Sequence, residues 1–545
     1  MFRLSLAALA LLPTAALAQT TPAHTVTAAP LTTDQAAMKA HVLFLASDAL
    51  KGREAGTDEY EVAAAYVAAQ FFAQGLQPAG DAGSYLQRVP LVATRPADQG
   101  SMVMARGRRR TALVFGKDYV PVGNPRAAKT ALTAPIVFVG QGIVAPQFQR
   151  DDYAGVDVRG KIVVFFGGAP DSFPGEERAH FGSDATKARA AADRGAVGWI
   201  ELGGGRGPSF ESRATKWQDE RVTWADAEGR GFAPGAPELG RLSADGGAKL
   251  FAGAAMGWDE ILRRRTAGEA LPAQQLAGTL SVTLASENRA FASSNVAGLL
   301  PGGDPKLKNE LVVLSAHLDH VGVGDAVDGD AIYNGAEDNA VGIASLIEEA
   351  RRFRESGKPP RRSILFLAVT AEEKGLVGAD YFARHPTTTN LTPGGLTMVA
   401  NVNLDMPIIT YMFEDMIAFG ADRSTLGPIV RRAVAGVGVG FGPDPQPEQG
   451  LFVRSDHYRF VQQGVPSVFL WPGHKGPGAK ATADFFAKHY HKPSDEVTLP
   501  LDWAAGVKFI AVNYAIAREI ADSPERPRWN KGDFFGTLYG GYGAK

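Results

Sequence analysis

The sequence predicts an α/β fold, with a mixed, mainly parallel sheet flanked by helices on both faces. From Asn295 onward, apolar and β-branched runs recur, as in ELVVLSAH, SILFLAVT, MVANVNLD and VPSVFLW. Helical segments separate several of these runs. In DNAVGIASLIEEARRFRES, one face carries a stripe of apolar residues at helical spacing, namely Ile343, Leu346, Ile347, Ala350 and Phe353. Strands that alternate with helices indicate a sheet buried between two helical layers.

Length and a change of texture predict an insertion in this fold. A chain of 545 residues is too long for one compact core. Two helical stretches come first, and the second stops at Gly75. From about Ala134, the runs APIVFVGQGI, GKIVVFFGG and GAVGWIELGG are short strands bounded by glycine, with a helix between the last two. We therefore expect a small α/β insertion at 130–287, between an N-terminal part (19–129) and the main part (288–545) of one domain.

The first twenty residues, MFRLSLAALALLPTAALAQT, are typical of a signal peptide. Arg3 precedes an apolar stretch, and Ala16-Leu17-Ala18 fits the signal peptidase rule, so that 1–18 would be removed. No later run reaches the roughly 20 apolar residues of a membrane-spanning helix, and no cysteine is present to carry a lipid. We expect an exported protein, periplasmic or extracellular, without a membrane anchor after cleavage.

Composition excludes several classes of function. The formal net charge is −2 and 21% of the residues are charged, which gives no reason to expect nucleic acid or an anionic membrane as partner. The absence of cysteine excludes a cysteine nucleophile and restricts any metal site to His, Asp and Glu. No feature of the sequence indicates an oligomeric state.

Acidic residues and histidines cluster where predicted strands end or helices begin. They are His317 and Asp319, Asp338, Glu372 and Glu373, Asp405, and His491 in a later loop. In open α/β sheets, ligands bind outside the carboxyl ends of the strands. Two histidines with several carboxylates suit zinc or another first-row divalent ion, and the donors suffice for two ions. One carboxylate would be shared by cations about 3.5–4 Å apart, and one glutamate of the adjacent pair would stay off the metal as proton carrier.

Each signal has a plainer explanation when it is taken alone. Glu372-Glu373 could form a solvated turn, Asp338 a helix N-cap and Asp405 a turn residue. Other histidines compete as donors, namely His320, His457, His474 and His489. It is the joint occurrence of the residues, in this order, that favours a metal centre.

In this order the motifs resemble those of the two-zinc exopeptidases of metallopeptidase family twenty-eight. The matching stretches are His317-Leu318-Asp319, Gly335 to Gly342, Glu372-Glu373, Asn403-Leu404-Asp405, Ser455-Asp456-His457 with Phe460, and Tyr490 to Asp495. The opening LFLASDALKGREAGT is also similar to that family. DDYAGVDVRGKIVVFFGG resembles a protease-associated domain, an insertion common in the family.

The resemblance implies a zinc-exopeptidase fold and two Zn²⁺ ions per subunit, with other divalent metals as alternatives. Asp338 would bridge the ions, with a cis peptide bond to Asn339. One ion would be completed by His317 and Asp405, and the other by Glu373 and His491.

The resemblance also implies the roles of residues that do not bind metal. Glu372 would be the general base, and Asp319 would accept a hydrogen bond from His317. Tyr458 and Tyr490 are candidates for the developing oxyanion, Arg454 is a candidate for substrate binding, and His457 would be structural or substrate-facing.

The leading hypothesis is an exported aminopeptidase that acts on peptide substrates. A carboxypeptidase of the glutamate carboxypeptidase type is the alternative within the same chemistry, with Arg454 as the group for a terminal carboxylate. A glutaminyl cyclase fits less well, because those family members use one metal and rarely carry the insertion. A receptor-like homologue would have lost ligands, whereas here all are present.

Overall fold

The structure is a computed structural model that describes residues 30–203, 209–391 and 394–545. The predicted signal peptide at 1–18 lies outside the described residues. Within the described ranges, the α-helices are α1 (Thr33–Leu45), α2 (Asp58–Ala73), α3 (Gly175–Gly182), α4 (Asp184–Ala192), α5 (Phe210–Thr215), α6 (Ala244–Phe251), α7 (Trp258–Thr266), α8 (Val341–Glu355), α9 (Val377–Arg384), α10 (Leu426–Gly436), α11 (His457–Val461), α12 (Gly478–Lys488), α13 (Trp503–Asp522) and α14 (Phe534–Leu538). None of them is long and apolar enough to cross a bilayer.

The strands are numbered in the same way along the chain. They are β1 (Gln77–Pro78), β2 (Leu86–Pro96), β3 (Ser101–Arg106), β4 (Arg109–Ala112), β5 (Tyr119–Pro121), β6 (Lys129–Phe138), β7 (Val144–Ala145), β8 (Arg150–Asp151), β9 (Ile162–Phe166), β10 (Gly198–Leu202), β11 (Arg221–Trp224), β12 (Glu238–Leu242), β13 (Gln274–Leu300), β14 (Glu310–His317), β15 (Gly322–Val327), β16 (Asp330–Tyr333), β17 (Ser363–Val369), β18 (Thr397–Leu404), β19 (Asp415–Phe419), β20 (Gly440–Gly442) and β21 (Ser467–Pro472).

The main sheet confirms the predicted fold class. Its four central strands, in the order β17, β14, β18 and β21, run parallel to one another. Antiparallel strands flank them, with β13 and β2 on one side and β19 on the other. Every residue of β17 is buried, as expected for a strand covered on both faces.

Successive residues of the central strands face two different helical layers, because side chains alternate along a strand. Phe366 packs in a core shared with α8 and α13, whereas Leu365 and Leu367 pack in a core shared with α9 and α11. The apolar stripe that the sequence predicts on α8 is buried in the first of these cores.

A second, smaller sheet forms the inserted unit, and one long strand joins it to the main sheet. The first part of β13 pairs with β3 and β6 in the second sheet, and its last part pairs with β2 and β17 in the main sheet. The remaining pairings of the second sheet run from β6 through β9, β10 and β12 to β5.

Strand pairing places the start of the inserted unit before residue 130. The strands β3, β4 and β5 pair within the second sheet, although the sequence assigned 19–129 to the main domain. Here β4 pairs with its neighbour β3, but the partners that hold β3 and β5 in the second sheet, β13 and β12, lie far away in the sequence, so local patterning did not indicate where the segment belongs.

Candidate metal centre

The predicted donors meet at the carboxyl end of the main sheet. His317 is the last residue of β14, and Asp405 directly follows β18. Glu372 and Glu373 follow β17 after a sharp bend at Ala371, where φ is +53°. Because β14, β17 and β18 are parallel neighbours, their carboxyl ends lie side by side. The other two donors come from loops, with Asp338 in the turn Ala336–Ala340 before α8 and His491 after α12.

Asp338 lies between two separate sets of donors and presents one oxygen to each. Its Oδ1 is 3.2 Å from His317 Nε2, which is also 3.1 Å from Asp405 Oδ1. Its Oδ2 is 3.3 Å from His491 Nε2, which is also 3.2 Å from Glu373 Oε2. This is the arrangement expected of a carboxylate that bridges two ions.

The donor sets fit zinc by spacing and by charge. Ligand atoms about 2.0–2.1 Å from a tetrahedral zinc ion lie about 3.3 Å from one another, which matches the distances between these donors. Burial would lower the pKa of His491, but the carboxylates of Asp338 and Glu373 outweigh it and raise that pKa to about 10. The site therefore concentrates negative charge in a buried place, as a cation site requires.

His320 is a third imidazole at this centre. It is fully buried, and its Nδ1 lies 2.8 Å from Glu373 Oε1 but 3.8 Å from Asp338 Oδ2. His320 could hold an ion together with Asp338 and Glu373, whereas His491 lies at more even distances from the same two carboxylates. His320 contacts the other oxygen of Glu373 and is placed to orient that side chain.

The peptide bond between Asp338 and Asn339 is cis, as the family resemblance implies. The Asn339 side chain binds the end of β18, because its amide donates to the Leu404 carbonyl (2.9 Å) and accepts from the Met406 N–H (3.2 Å). Gly342 makes room for it, since a Cβ there would lie 2.0 Å from Asn339 Oδ1. The turn that carries Asp338 is thereby held against the strand that carries Asp405.

Asp319 holds its neighbours in two ways. His317 Nδ1 donates to the main-chain carbonyl of Asp319 (3.1 Å), which leaves Nε2 free to bind a metal. The Asp319 carboxylate accepts instead from the N–H groups of Glu372 (3.0 Å) and Glu373 (3.3 Å). The predicted hydrogen bond from His317 therefore goes to the backbone of Asp319, while its side chain positions the glutamate pair.

Three supporting residues had no assigned role in the sequence analysis. The Asp495 carboxylate accepts from the N–H groups of Glu337 (2.9 Å) and Asp338 (3.0 Å), in the same way as Asp319 holds the glutamates. Ser455 Oγ donates to Asp405 Oδ2 (2.5 Å) and accepts from the Asn403 amide (2.8 Å). All three residues, Asp495, Ser455 and Asn403, belong to the motifs quoted in the sequence analysis, and that membership was the signal that could have identified them.

A cleft of about 370 Å³ opens over the donors. His317, Asp338, Asp405 and His491 line it together with Glu372, and its other wall is largely apolar, with Met406, Leu451, Phe469, Trp471 and Phe486. Burial raises the pKa of the Glu372 carboxyl well above its ordinary value. A carboxyl group of this kind beside a metal site is suited to carry a proton.

The three predicted substrate-binding residues lie in different places. Tyr490 and Arg454 line the cleft, and Tyr490 stacks on His491 with ring centroids 3.8 Å apart. Contrary to the prediction, Tyr458 does not line the cleft. It is buried, and its hydroxyl bonds His180 Nδ1 (3.0 Å) and the Tyr539 hydroxyl (3.1 Å). His457 is fully buried between Phe452 and Phe469, which fits the structural role.

The inserted unit contacts one rim of the cleft. Gln446 and Gln449 line the cleft, and the loop between them rests on α3 of the insertion. Arg178 Nη2 donates to the Glu448 carbonyl at 2.5 Å. Gly175 allows the close approach, because a Cβ there would lie 1.7 Å from the Pro447 carbonyl oxygen.

Curated relatives match parts of this chain. "Leupeptin-inactivating enzyme 1" of Streptomyces exfoliatus is 29% identical over 256 residues, which cover 44% of this chain and 52% of the relative. "Probable leucine aminopeptidase 2" of Aspergillus oryzae is 27% identical over 272 residues, covering 47% of this chain and 50% of the relative. The chain spans about half the length of these two relatives. "Probable glutamate carboxypeptidase VP8" of Zea mays is 25% identical over 472 residues, 79% of this chain and 60% of the relative.

Solved structures and a family model were also compared with the chain. An aminopeptidase from Aneurinibacillus sp. strain AM-1 is 20% identical with a TM-score of 0.48, covering 91% of this chain and 95% of that one. A zinc aminopeptidase from Bacillus subtilis is 18% identical with a TM-score of 0.43, covering 91% and 97%. Residues 295–517, which contain all the predicted metal ligands, match the model of Peptidase family M28. This part of the chain, and with it the candidate metal centre, belongs to peptidase family M28.

Proposed function

We propose that the protein is an exported aminopeptidase that uses two zinc ions to hydrolyse the N-terminal peptide bond of peptides. The observation that carries the proposal is the position of Asp338. Its two oxygens face two complete donor sets at hydrogen-bonding distance. His317 and Asp405 would complete one ion, and Glu373 and His491 the other. All of these donors are present, which argues against a receptor-like homologue.

The residues around the centre would divide the work of the reaction. Two bound zinc ions supply Lewis acidity and lower the pKa of water. Glu372 lines the cleft and would accept the proton of the attacking water and deliver it to the leaving amine. Asp319 holds the backbone of Glu372 and so fixes its approach. Tyr490, at the cleft wall, is the remaining candidate for the developing oxyanion.

Recognition of a free amine is supported by the charge of the site and by the relatives. The carboxylates of the centre would attract a substrate ammonium group, and the apolar wall would accept an apolar first side chain. The relative from Aspergillus oryzae carries the name of a leucine aminopeptidase, at 27% identity.

A carboxypeptidase is the second candidate, and Arg454 is the observation that favours it. Arg454 is exposed in the cleft, and within the described part of the chain no carboxylate lies at ion-pair distance from it. A free guanidinium is suited to bind a terminal carboxylate in a bidentate manner. The relative from Zea mays carries the name of a probable glutamate carboxypeptidase, at 25% identity, and so supports the same candidate.

Two peptides distinguish the candidates, and purified wild-type protein should contain two zinc equivalents. One peptide is a dipeptide amide with a free amine, and the other is its N-acetylated free acid. Acetylation removes the amine charge and adds bulk beside the metals, so we expect cleavage of the first and little of the second. The reverse result would assign a carboxypeptidase, with Arg454→Met as the next variant. Equal cleavage of both peptides, or protein without metal or turnover, would refute the proposal.

The proposal extends to the ends and the insertion of the chain. We propose export on the basis of the N-terminal segment, and N-terminal sequencing of the mature protein should begin at Gln19. The inserted unit, proposed to be of the protease-associated type, would shape access to the cleft without supplying a ligand. Substrates would be peptides, with no nucleic-acid partner.

A further inference from the structure

A buried arginine from the N-terminal segment lies against the back of the metal centre. Arg53, in the quoted LKGREAGT, is fully buried. Among the described residues, its guanidinium donates only to main-chain carbonyls, from Nε to Leu318 (3.0 Å), from Nη1 to Leu45 (2.5 Å) and Asn334 (2.6 Å), and from Nη2 to Gly335 (3.0 Å). The sequence analysis assigned no role to this residue.

These carbonyls belong to three separate segments, and two of the segments carry metal ligands. Leu318 lies between His317 and Asp319, directly after β14. Asn334 and Gly335 lead into the turn that carries Asp338. Leu45 ends α1. The guanidinium fork therefore joins the loop of one terminal ligand to the loop of the bridging carboxylate, and ties both to the first helix.

The backbone around Arg53 is shaped for this insertion. Lys51, Gly52 and Arg53 all have positive φ, at 42°, 70° and 49°. A Cβ at Gly52 would lie 2.4 Å from the Tyr333 carbonyl oxygen and 2.6 Å from that of Gly322, so the loop sits directly on the segments before Asp338. Consecutive left-handed residues persist only where the surroundings hold them, and they cluster at functional sites. The Arg53 carbonyl in turn accepts the His320 N–H at 3.3 Å.

The charge of Arg53 matches the charge of the centre. A guanidinium that contacts only neutral carbonyls in a buried place needs negative charge nearby. Burial lowers the pKa of Arg53 to about 10, against the opposing effect of the Asp495, Asp319, Asp338 and Glu373 carboxylates, so it stays charged at neutral pH. Arg53 is thus a fixed cation that faces the acidic centre without occupying the cleft.

We propose that Arg53 is a positioning residue of the metal centre, which sets the separation of the His317 and Asp338 loops before metal binds. The inference rests on the proposed function only in that the centre binds metal. It does not depend on which end of a peptide is cleaved.

The test compares two buried arginines that lie at opposite ends of the main sheet. Arg362 is also fully buried and also donates to carbonyls, those of Ile520 and Ser523, but it lies at the opposite end of β17. Zinc affinity of Arg53→Gln and Arg362→Gln would be measured by chelator competition, and the geometry of the site by the absorption spectrum of the Co²⁺ form. Circular dichroism would establish that each variant is folded.

We expect both variants to melt at lower temperature, and only Arg53→Gln to lose zinc affinity, by roughly 10- to 100-fold, as is typical for residues that support ligands. Its Co²⁺ spectrum should change, and Arg53→Lys, which keeps the charge but not the fork, should recover part of the affinity. If Arg53→Gln does not fold, Arg53→Lys carries the test, with weaker zinc binding than wild type expected.

Two results would overturn the inference. One is a folded Arg53 variant with wild-type zinc affinity and Co²⁺ spectrum, and the other is an equal loss of affinity in Arg362→Gln. Failure of the proposed function gives a different pattern, because the wild type would then bind zinc but cleave neither test peptide, or both equally, while the Arg53 effect on affinity remained.

Discussion

The two ends of the main sheet treat charge in opposite ways. At the amino ends of β14 and β17, Glu310 is paired with Arg362 (2.7 Å), and Asp304 is paired with Arg361 (2.7 Å). At the carboxyl ends of the same strands, carboxylates crowd around imidazoles. These carboxylates are Asp338, Glu372, Glu373 and Asp405, and in the described part of the chain no lysine or arginine contacts them.

The difference shows which end is built for stability and which for a ligand. The carboxylates at the carboxyl end repel one another, and the imidazoles and the more distant Arg53 offset part of that repulsion, so a bound cation should stabilise this end. The amino end gains nothing from a cation, since each acid already has its partner. Variants at the two ends should therefore affect different measurements. Those at the carboxyl end should change metal content and turnover, and those at the amino end should change stability.

The largest effect is expected at the carboxyl end, for Glu372→Ala. Because Glu372 is proposed to transfer the proton and not to bind metal, kcat should fall by about 10²–10⁴-fold with both zinc ions retained. Turnover of the free-amine dipeptide amide and zinc content by elemental analysis would be measured on the same sample.

Glu373→Ala is the matched variant for that experiment. It removes a proposed ligand next to the same backbone, so one zinc equivalent should be lost. If Glu372→Ala shed a metal while Glu373→Ala kept both ions and its activity, the roles of the two glutamates would be exchanged.

The carboxyl end could be predicted because its signals are local in the sequence. Each donor except His491 follows an apolar run or opens a helix, so position along the chain already placed His317, Glu373 and Asp405 at one edge of a parallel sheet. The family motifs then implied which donor bridges.

What escaped prediction depends on contacts between distant segments. Arg53 reaches the Leu318 carbonyl, which is 265 residues away in the sequence. Tyr458 belongs to a motif that carries ligands, but packing of the insertion and the C-terminal segment decided that it faces away from the cleft. The strands β3 and β5 pair with β13 and β12, which come more than 100 residues later in the sequence. None of these features leaves a pattern in neighbouring residues.

The next effect in size is expected at the amino end, for Arg362→Met. Arg362 is fully buried, and removing it leaves the partly exposed Glu310 and the carbonyls of Ile520 and Ser523 without their donor, which typically costs about 3–5 kcal/mol of unfolding free energy in total. Chemical denaturation would measure the loss. Zinc content and kcat of the folded variant should equal those of wild type, and a fall in either would show that the two ends are not independent.

A smaller effect on stability is expected outside both ends, at His180. This side chain is buried between the insertion and the C-terminal segment, and burial lowers its pKa to about 4. The unfolded chain takes up a proton near pH 6.5, before the folded one does. Stability should therefore fall as pH decreases from 6.5 to about 4, by about 3 kcal/mol from this group.

His180→Gln isolates that contribution, because an amide can still bond the Tyr458 hydroxyl but does not titrate. Denaturation curves at pH 7 and pH 4.5 should show a smaller difference for the variant than for wild type. The same pH difference in both proteins would mean that His180 is protonated in the folded state.

The smallest effect is expected where the insertion contacts the rim of the cleft. Arg178→Ala removes the hydrogen bond to the Glu448 carbonyl and loosens the loop that carries Gln446 and Gln449. One such bond contributes about 1 kcal/mol, so KM should rise a few-fold while kcat and zinc content stay unchanged. Arg159→Ala is the control, since Arg159 is an exposed arginine of the insertion that pairs with Asp157. A change in kcat or zinc content for Arg178→Ala would mean that the insertion supports the metal centre itself. The insertion could then no longer be regarded as a unit that only shapes access to the cleft.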